Sequence, residues 1–282
     1  MGSNKNNWSK VISAKRSWWD IDLKGVLNYK DLISSLIRRD LVSIYKQTIL
    51  GPVWFLFGPL FTVFTYTFAF STIAKIPTDG IPAPVFYLAG TILWNYFQAC
   101  FNQASGTFIN NAHLFGKVYF PRIIPSIAMI ISNLLKMLLQ FIVFIVFCIY
   151  YQNQEMISMN IYILSFPLLV LLMAILSLGF GLIISSLSVK YRDLNQLIGV
   201  FITLLMYASP IIYPSSSVPS VLKPYLSLNP IAPIINSFRY AFTGAGAFDW
   251  WGILYTTIFS LFMLFFGLIL FHKVEKTFID TI

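Results

Sequence analysis

Six long segments of this chain carry almost no charged side chain, and each has the length of a membrane-crossing helix. A bilayer core about 30 Å thick takes about 20 apolar residues in helical form. The mean hydropathy of +0.75 over 282 residues indicates that lipid is the solvent. Because helices satisfy their backbone hydrogen bonds internally, we predict an all-α polytopic membrane protein. The expected spans are about 50–74, 84–104, 123–151, 161–187, 195–213 and 250–271.

The distribution of lysine and arginine predicts how the spans are oriented. Of 19 basic residues, 15 fall in the N-terminal region and in alternate loops, and three fall on the other side, namely Lys75, Lys223 and Arg239. Basic loops remain in the cytoplasm, so we expect both termini there. The net charge of +9 does not indicate a nucleic-acid partner, because the cations flank spans and form no patch interleaved with aromatic residues.

Residues 28–46 have the apolar spacing of an amphipathic helix with basic flanks. The apolar positions are Leu32, Ile33, Leu36, Ile37, Leu41, Ile44 and Tyr45. Such a helix lies either on the inner leaflet or against other parts of the protein, and the sequence leaves both alternatives open. We therefore expect a cytoplasmic N-terminal region at 1–49 with an interface helix, followed by a six-helix membrane domain at 50–282.

The connection 214–249 between the fifth and sixth spans is long and rich in proline. Its apolar runs, 221–228 and 231–242, are too short to span a bilayer. We expect two short re-entrant helices that dip into the outer half of the membrane and are buried there or line a wet cavity. A plain extracytoplasmic loop is the alternative.

Several kinds of chemistry lack the residues that they need. None of the ten acidic residues lies in the middle of a span, which disfavours ion-coupled transport. His113 and His272 fall in a loop and near the C-terminus, which disfavours a membrane enzyme with a buried base or a metal site. No phosphate-binding G-x-x-x-x-G-K-[ST] motif occurs, so this chain does not hydrolyse ATP through a P-loop.

Aromatic residues are concentrated in the first two spans. They are Trp54, Phe55, Phe57, Phe61, Phe64, Tyr66, Phe68 and Phe70, followed by Phe86, Tyr87, Trp94, Tyr96, Phe97 and Phe101. Their rings either guide a polysaccharide, whose sugars have apolar C–H faces, or simply face lipid. Lys136 lies within the third span near Asn133; we interpret it as facing protein or water, where it meets an anion such as a lipid pyrophosphate. The alternatives are that it holds a subunit contact or that its ammonium snorkels to the membrane surface.

Five motifs resemble those of bacterial polysaccharide ABC exporter permeases, the type-2 exporter family. They are RDLVSIYKQTILGPVW (39–54), FYLAG (86–90), NNAHLFGKVYFPR (110–122), YRDL (191–194) and YASPIIY (207–213). The resemblance runs from about residue 30 to 240 and is greatest to O-antigen lipopolysaccharide export permeases. Two positions differ from the common pattern: Ile44 replaces a basic residue, and Gly58 stands where glutamine is frequent.

The resemblance implies a homodimer in the bacterial inner membrane, paired with two copies of a cytoplasmic ABC ATPase that binds ATP and magnesium, with no cofactor in this chain. Its cargo would be a polyprenyl-diphosphate-linked polysaccharide such as O antigen, and the short helices between spans five and six would be periplasmic gate helices. The alternatives are a capsule or teichoic acid permease of the same family, and an ion-driven lipid or glycan flippase.

The resemblance also implies three groups of site residues. The first and fifth spans line the channel, so with Lys136 the expected channel residues are Phe57, Phe61, Phe64, Phe68 and Tyr207. The cations expected to attract the lipid diphosphate are Arg38, Arg39 and Lys46. The alternative, equally compatible with the sequence, is that these three only set the topology. The residues expected to couple to the ATPase are Asn111, His113, Leu114, Phe115, Lys117, Tyr191 and Arg192. No catalytic or metal-binding residue is expected.

Overall fold

The computed structural model describes residues 28–46, 53–115, 120–191 and 193–277, and every regular element in those ranges is helical. The predicted all-α class is confirmed for these residues. The α-helices are α1 (Lys30–Tyr45), α2 (Trp54–Tyr66), α3 (Ala83–Ser105), α4 (Thr107–Asn110), α5 (Ala112–Phe115), α6 (Ile124–Gln152), α7 (Phe166–Ser188), α8 (Leu194–Tyr207), α9 (Lys223–Leu228), α10 (Ile231–Thr243) and α11 (Trp250–Thr277).

Four helices in the described ranges are long and apolar enough to cross a membrane. They are Leu56–Ile73, Ile124–Gln152, Ile161–Ser188 and Trp250–Glu275. These coincide with the first, third, fourth and sixth predicted spans, as expected of a polytopic membrane protein. The first of them changes from α-helix to π-helix at Thr67–Ile73, and the fifth predicted span corresponds to α8, which is apolar but has only 14 residues.

The second predicted span is α3, and it lies in the centre of the bundle. It packs against α2, α6, α7, α8 and α10. Its largest buried side chains are Phe86, Tyr87, Phe97 and Phe101, whose exposed fractions are at most 1%. Because protein surrounds α3, its amide side chains can find partners on neighbouring helices, which explains how 23 residues of moderate hydropathy occupy this place.

Helices α7 and α11 make the most extensive helix pair, and glycines allow their close approach. A Cβ atom built on Gly179 of α7 would lie 2.6 Å from the backbone nitrogen of Leu264 on α11. A Cβ on Gly267 of α11 would lie 2.7 Å from the carbonyl oxygen of Gly179. Small residues at such a crossing are a main source of helix association in lipid, where apolar side chains gain little by meeting one another.

Helix α1 falls where the spacing of residues 28–46 predicts a helix, and its apolar face contacts protein. Leu36 is 8% exposed and belongs to a cluster with Ile123 and Ile124 at the start of α6. Leu32, Ile33 and Ile37 pack against the same cluster. This contact favours the packed alternative for that face, while the placement of α1 at the inner leaflet and the domain boundary at residue 49 stay predictions.

The connection between the fifth and sixth predicted spans contains two helices of different character. Within α9, the side chain of Lys223 is exposed, as is Tyr225 at 71%. In contrast, α10 is almost entirely buried, and it ends at Gly244, whose φ of +75° is the left-handed conformation that favours glycine at a helix C-terminus. The apolar runs of this connection are thus helical, while their position relative to the membrane stays a prediction.

Candidate transport site

The predicted channel phenylalanines of the first span share one exposed face. The exposed fractions of Phe57, Phe61, Phe64 and Phe68 are 39%, 65%, 71% and 56%. Their spacing of three or four residues puts them on one side of a helix, and the rings of Phe57 and Phe61 stack with centroids 6.2 Å apart. Trp54 precedes them, with its ring 6.4 Å from that of Phe57. We call Trp54, Phe57, Phe61, Phe64 and Phe68 the aromatic ridge.

Tyr207 lies on a different helix from the aromatic ridge, at the end of α8. It is 57% exposed, and apolar residues of the same helix are exposed as well, including Leu197 at 57% and Leu204 at 64%. The Tyr66 hydroxyl lies 3.9 Å from the sulfur of Met206, so the far end of α2 meets the end of α8. The first and fifth predicted spans are therefore in contact at this point.

A polar cleft of about 360 Å³ lies between α2, α3 and α6. We call it the Lys136 cleft. Its lining residues are Trp54, Gly58, Pro59, Thr62, Asn95, Tyr96, Ala99, Asn133, Lys136, Met137 and Gln140. Trp54 belongs both to this lining and to the aromatic ridge, so the cleft opens where the ridge begins.

A hydrogen-bonded chain fixes the cation of the Lys136 cleft. Lys136 Nζ donates to Asn133 Oδ1 at 3.1 Å, and Asn133 Nδ2 donates to Gln103 Oε1 on α3 at 2.8 Å. One helical turn after Lys136, the side-chain oxygen of Gln140 is buried and has no hydrogen-bond partner in the described part of the chain. The structure thus places Lys136 against polar side chains of two helices and away from lipid on at least that side.

Arg239 is a buried cation, although its place in a loop predicted only that it lies on the side opposite the termini. Its side chain on α10 is 4% exposed, and the guanidinium donates to the carbonyl oxygens of Pro210 (2.5 Å), Ile211 (2.8 Å) and Phe86 (3.3 Å). The guanidinium carbon also lies 3.6 Å from the centroid of the Phe86 ring. Arg239 therefore joins α10, the non-helical stretch after α8 and the start of α3; its place within an apolar, proline-flanked run was the available signal.

A second polar pocket, about 190 Å³ in volume, adjoins Arg239. Asp79, Ser215 and Asn236 contribute polar atoms to its lining. Asp79 accepts a hydrogen bond of 2.6 Å from Ser216, which ties the turn before α3 to the connection after α8. This pocket and the Lys136 cleft lie near opposite ends of α3, because Phe86 lines the former whereas Asn95, Tyr96 and Ala99 line the latter.

Most of the predicted coupling residues lie on or beside two short helices, α4 and α5. The residues of this group differ in how exposed their side chains are. Asn111 is 3% exposed and donates to the carbonyl oxygen of Thr107, whereas His113 is exposed. Phe115 packs against Phe108 and Phe120, with ring centroids 6.3 and 5.7 Å away. Leu114 lies within α5. Lys117 and Arg192 lie outside the described residues. Tyr191 lies in a different connection, between α7 and α8; it is 50% exposed, and the Lys190 ammonium lies 5.1 Å from its ring centroid.

The C-terminal part of α11 is hydrogen-bonded to Arg122, which lies between α5 and α6. The backbone N–H of Arg122 and its guanidinium both donate to Glu275, and the His272 ring nitrogen Nδ1 lies 3.0 Å from the other Glu275 carboxylate oxygen. The Arg122 guanidinium also lies 5.7 Å from the Phe115 ring centroid. These contacts connect α5, the start of α6 and the end of α11 into one polar and aromatic cluster.

The three cations predicted to attract a lipid diphosphate lie on or just after α1. Arg38, Arg39 and Lys46 are all exposed. Two N–H groups of Arg39 donate to one carboxylate oxygen of Asp40, at 2.9 and 3.1 Å. This ion pair offsets part of the positive charge of Arg39. In the described ranges, no cluster of three or more His, Cys, Asp and Glu has the geometry to hold a metal ion.

The chain is similar to known transport proteins over most of its length. The profile of the family described as ABC-2 type transporter matches residues 31–243. The O-antigen export system permease protein RfbA of Klebsiella pneumoniae is 28% identical over 262 residues, which cover 92% of this chain and 98% of that one. A protein of the same name from Myxococcus xanthus is 24% identical over 78% of this chain and 83% of its own. The polysialic acid transport protein KpsM of Escherichia coli is 26% identical over 88% and 95%.

Proposed function

Because this chain belongs to the ABC-2 type transporter family, whose profile covers residues 31–243, we propose that it is the permease subunit of an exporter that moves a polyprenyl-diphosphate-linked polysaccharide across the bacterial inner membrane. O antigen is the cargo that the named relatives favour. The exposed aromatic ridge on α2 carries this proposal, since a row of rings offers faces to the apolar sides of successive sugars without binding any one of them tightly.

The proposed arrangement has six spans with both termini in the cytoplasm. Helix α3 and helix α8 with its non-helical continuation are the second and fifth spans, in addition to the four long apolar helices. Two chains form a homodimer in which α2 and α8 of each line the channel. The exposed fractions of the ridge residues and of Tyr207 support this assembly, because a second copy would cover them or enclose a path between them.

Energy comes from a separate ATPase, which we place at the end of the bundle that carries α4 and α5. Ile109 on α4 is a large apolar side chain that is 44% exposed, and His113 on α5 is exposed beside it. Such an apolar spot on short helices is suited to sit in a groove of a partner. The cluster of Phe115, Arg122 and Glu275 would carry a movement of that partner into α6 and α11.

The proposed function is tested by deleting the gene and measuring the surface polysaccharide by gel and immunoblot, together with copurification of the ATPase encoded beside it. We expect long-chain polysaccharide to disappear from the surface, and to return when the chain is supplied with an active ATPase but not with an ATPase-dead variant. Loss of a capsular polymer in place of O antigen would support the second cargo class, which the relative named for polysialic acid transport favours. An unchanged surface would contradict the proposal.

A cysteine at His113 is expected to crosslink to the ATPase more efficiently than a cysteine at Phe115. His113 is exposed, whereas Phe115 packs against Phe108 and Phe120. The native Cys100 and Cys148 are buried and do not compete for the reagent. The measurement is a gel shift of the purified complex after treatment with a bifunctional thiol reagent. Gln154→Cys, exposed beyond the other end of α6, is the matched control and should give no shift; equal yields at positions 113 and 154 would move the docking site elsewhere.

A further inference from the structure

The Lys136 cleft has the composition of a binding site for a phosphate-type anion attached to a sugar. We propose that it binds the diphosphate of the lipid-linked cargo while the attached glycan extends along the aromatic ridge. This inference rests on the proposed function, but it assigns a specific place to the charged part of the substrate. That place is distinct from Arg38, Arg39 and Lys46, which lie on or just after α1.

Lys136 brings a positive charge deep into α6. Lys136 lies twelve residues beyond Ile124, the first residue of α6, which is about 18 Å at about 1.5 Å per residue. The described residues that line the cleft include no aspartate or glutamate. Charges attract one another more strongly at this depth than in water, because there is less solvent to screen them. A phosphate would add an ion pair and charge-assisted hydrogen bonds to the contact that Lys136 already makes with Asn133.

Hydrogen bonds hold the Lys136 ammonium in position before any ligand binds. The chain from Lys136 through Asn133 to Gln103 spans α6 and α3 with distances of 3.1 and 2.8 Å. A lysine that serves only to reach the membrane surface would have no need of amide partners on two helices. Preorganised donors make binding stronger because less side-chain freedom is lost when the ligand binds.

The Lys136 cleft also contains a hydrogen-bond acceptor that has no partner among the described residues. Gln140, one turn beyond Lys136, lines the cleft and has a buried side-chain oxygen with no hydrogen bond in the described ranges. Buried polar atoms are normally paired, and an unpaired one calls for an explanation such as a ligand. A carbonyl oxygen accepts hydrogen bonds, so it suits a hydroxyl of the sugar next to the diphosphate and does not suit the diphosphate itself.

The Lys136 cleft is continuous with the aromatic ridge through Trp54. Trp54 lines the cleft, and its ring lies 6.4 Å from Phe57, which stacks on Phe61 at 6.2 Å. A Cβ atom on Gly58 would meet nothing within 4 Å, so the α2 side of the cleft is open. A diphosphate beside Lys136 would therefore have its first sugars against Trp54 and the following ones against the phenylalanines.

The test measures binding of polyprenyl diphosphate to the purified full-length chain in complex with its ATPase, in lipid nanodiscs, by competition with a labelled polyprenyl diphosphate. We expect Lys136→Met to weaken binding about tenfold or more, as the loss of one charge-assisted hydrogen bond predicts. Lys136→Arg should retain most of the affinity. Lys75→Met removes an exposed lysine from the connection before α3 and is the matched control, with affinity unchanged.

Two further probes distinguish the source of the anion. Uncharged polyprenol should compete poorly with every variant, and inorganic pyrophosphate should compete in a Lys136-dependent manner but more weakly than the lipid-linked form. If pyrophosphate competes as well as the lipid, the site takes a free phosphate anion and the assignment to lipid-linked cargo is overturned. Equal affinity of Lys136→Met and the unchanged chain would overturn the site itself. Neither result depends on export or ATPase copurification, so a failure here is distinguishable from a failure of the proposed function.

Discussion

Replacement of Arg239 by methionine is expected to leave little correctly folded protein. Methionine keeps an unbranched apolar stem but has no N–H group and does not reach as far, so the carbonyl oxygens of Pro210 and Ile211 lose their donors. Both lie in the non-helical stretch after α8, where the structure gives no helical ladder to replace those bonds. A buried carbonyl without a donor costs about 1–3 kcal/mol, so the two together remove several kcal/mol, and the midpoint of thermal unfolding should fall on the order of 10 °C.

The surroundings of Arg239 show why other cations substitute poorly for it. Its guanidinium carbon lies over the Phe86 ring, 3.6 Å from the centroid. The same group donates to three carbonyl oxygens. A Cβ atom on Gly90 would lie 2.8 Å from a terminal guanidinium nitrogen, so the glycine leaves the room that the planar group occupies. Lysine keeps the charge but not the planar fork, and we expect Arg239→Lys to fall between methionine and the unchanged chain.

The measurement for Arg239 is the yield of monodisperse protein and its thermal unfolding in detergent. Arg38→Met is the matched control, because Arg38 is exposed on α1 and the same substitution should leave the unfolding midpoint nearly unchanged. An Arg239→Met variant with the yield and midpoint of the unchanged chain would show that the three carbonyl contacts add little stability.

Replacement of Gly179 by alanine is expected to destabilise the chain although it adds a single methyl group. The new Cβ would lie 2.6 Å from the nitrogen of Leu264 and 2.7 Å from the carbonyl carbon of Met263. These are backbone atoms, which cannot rotate away as a side chain can, so α7 and α11 must separate along their extensive contact. Overpacking of this kind costs about 1–3 kcal/mol, and we expect a clear fall in the unfolding midpoint.

The same substitution at Gly199 provides a control with the opposite expected sign. Gly199 lies within α8, where a Cβ atom would meet nothing within 4 Å. Alanine in the interior of a helix is favoured over glycine by about 0.5–1 kcal/mol, so Gly199→Ala should raise the midpoint slightly or leave it unchanged. Thermal unfolding of both variants in the same detergent makes the comparison, and equal midpoints for Gly179→Ala and Gly199→Ala would contradict the close crossing.

Part of the candidate site follows from spacing within one helix. Phe57, Phe61, Phe64 and Phe68 repeat every three or four residues, so their common face could be predicted from the sequence, and the structure leaves that face exposed. The polar partner Asn133 of Lys136 was likewise visible one turn away. Their roles in transport stay predictions, as do those of Tyr207 and of the cations on or after α1.

Other features of the site depend on residues that are distant in the sequence. Gln103 precedes Asn133 by 30 residues, and only the packing of α3 on α6 brings them to 2.8 Å. Arg239 was counted as a loop cation, yet it is buried against Phe86, which precedes it by 153 residues. His272 was predicted only to lie near the C-terminus, whereas its ring nitrogen lies 3.0 Å from Glu275 in a cluster with Arg122.

The order of the residues was enough to predict the solvent of the chain, its helical class, the approximate limits of the long apolar helices and the candidate motifs. Hydropathy, charge and helical repeat are properties of consecutive residues, and lipid enforces them because each span must satisfy its own backbone. Which polar groups meet depends on how the helices pack, because helices associate in lipid through close packing and hydrogen bonds and not through apolar surface alone. The Lys136 cleft, the Arg239 contacts and the glycine crossing of α7 and α11 are all of this second kind.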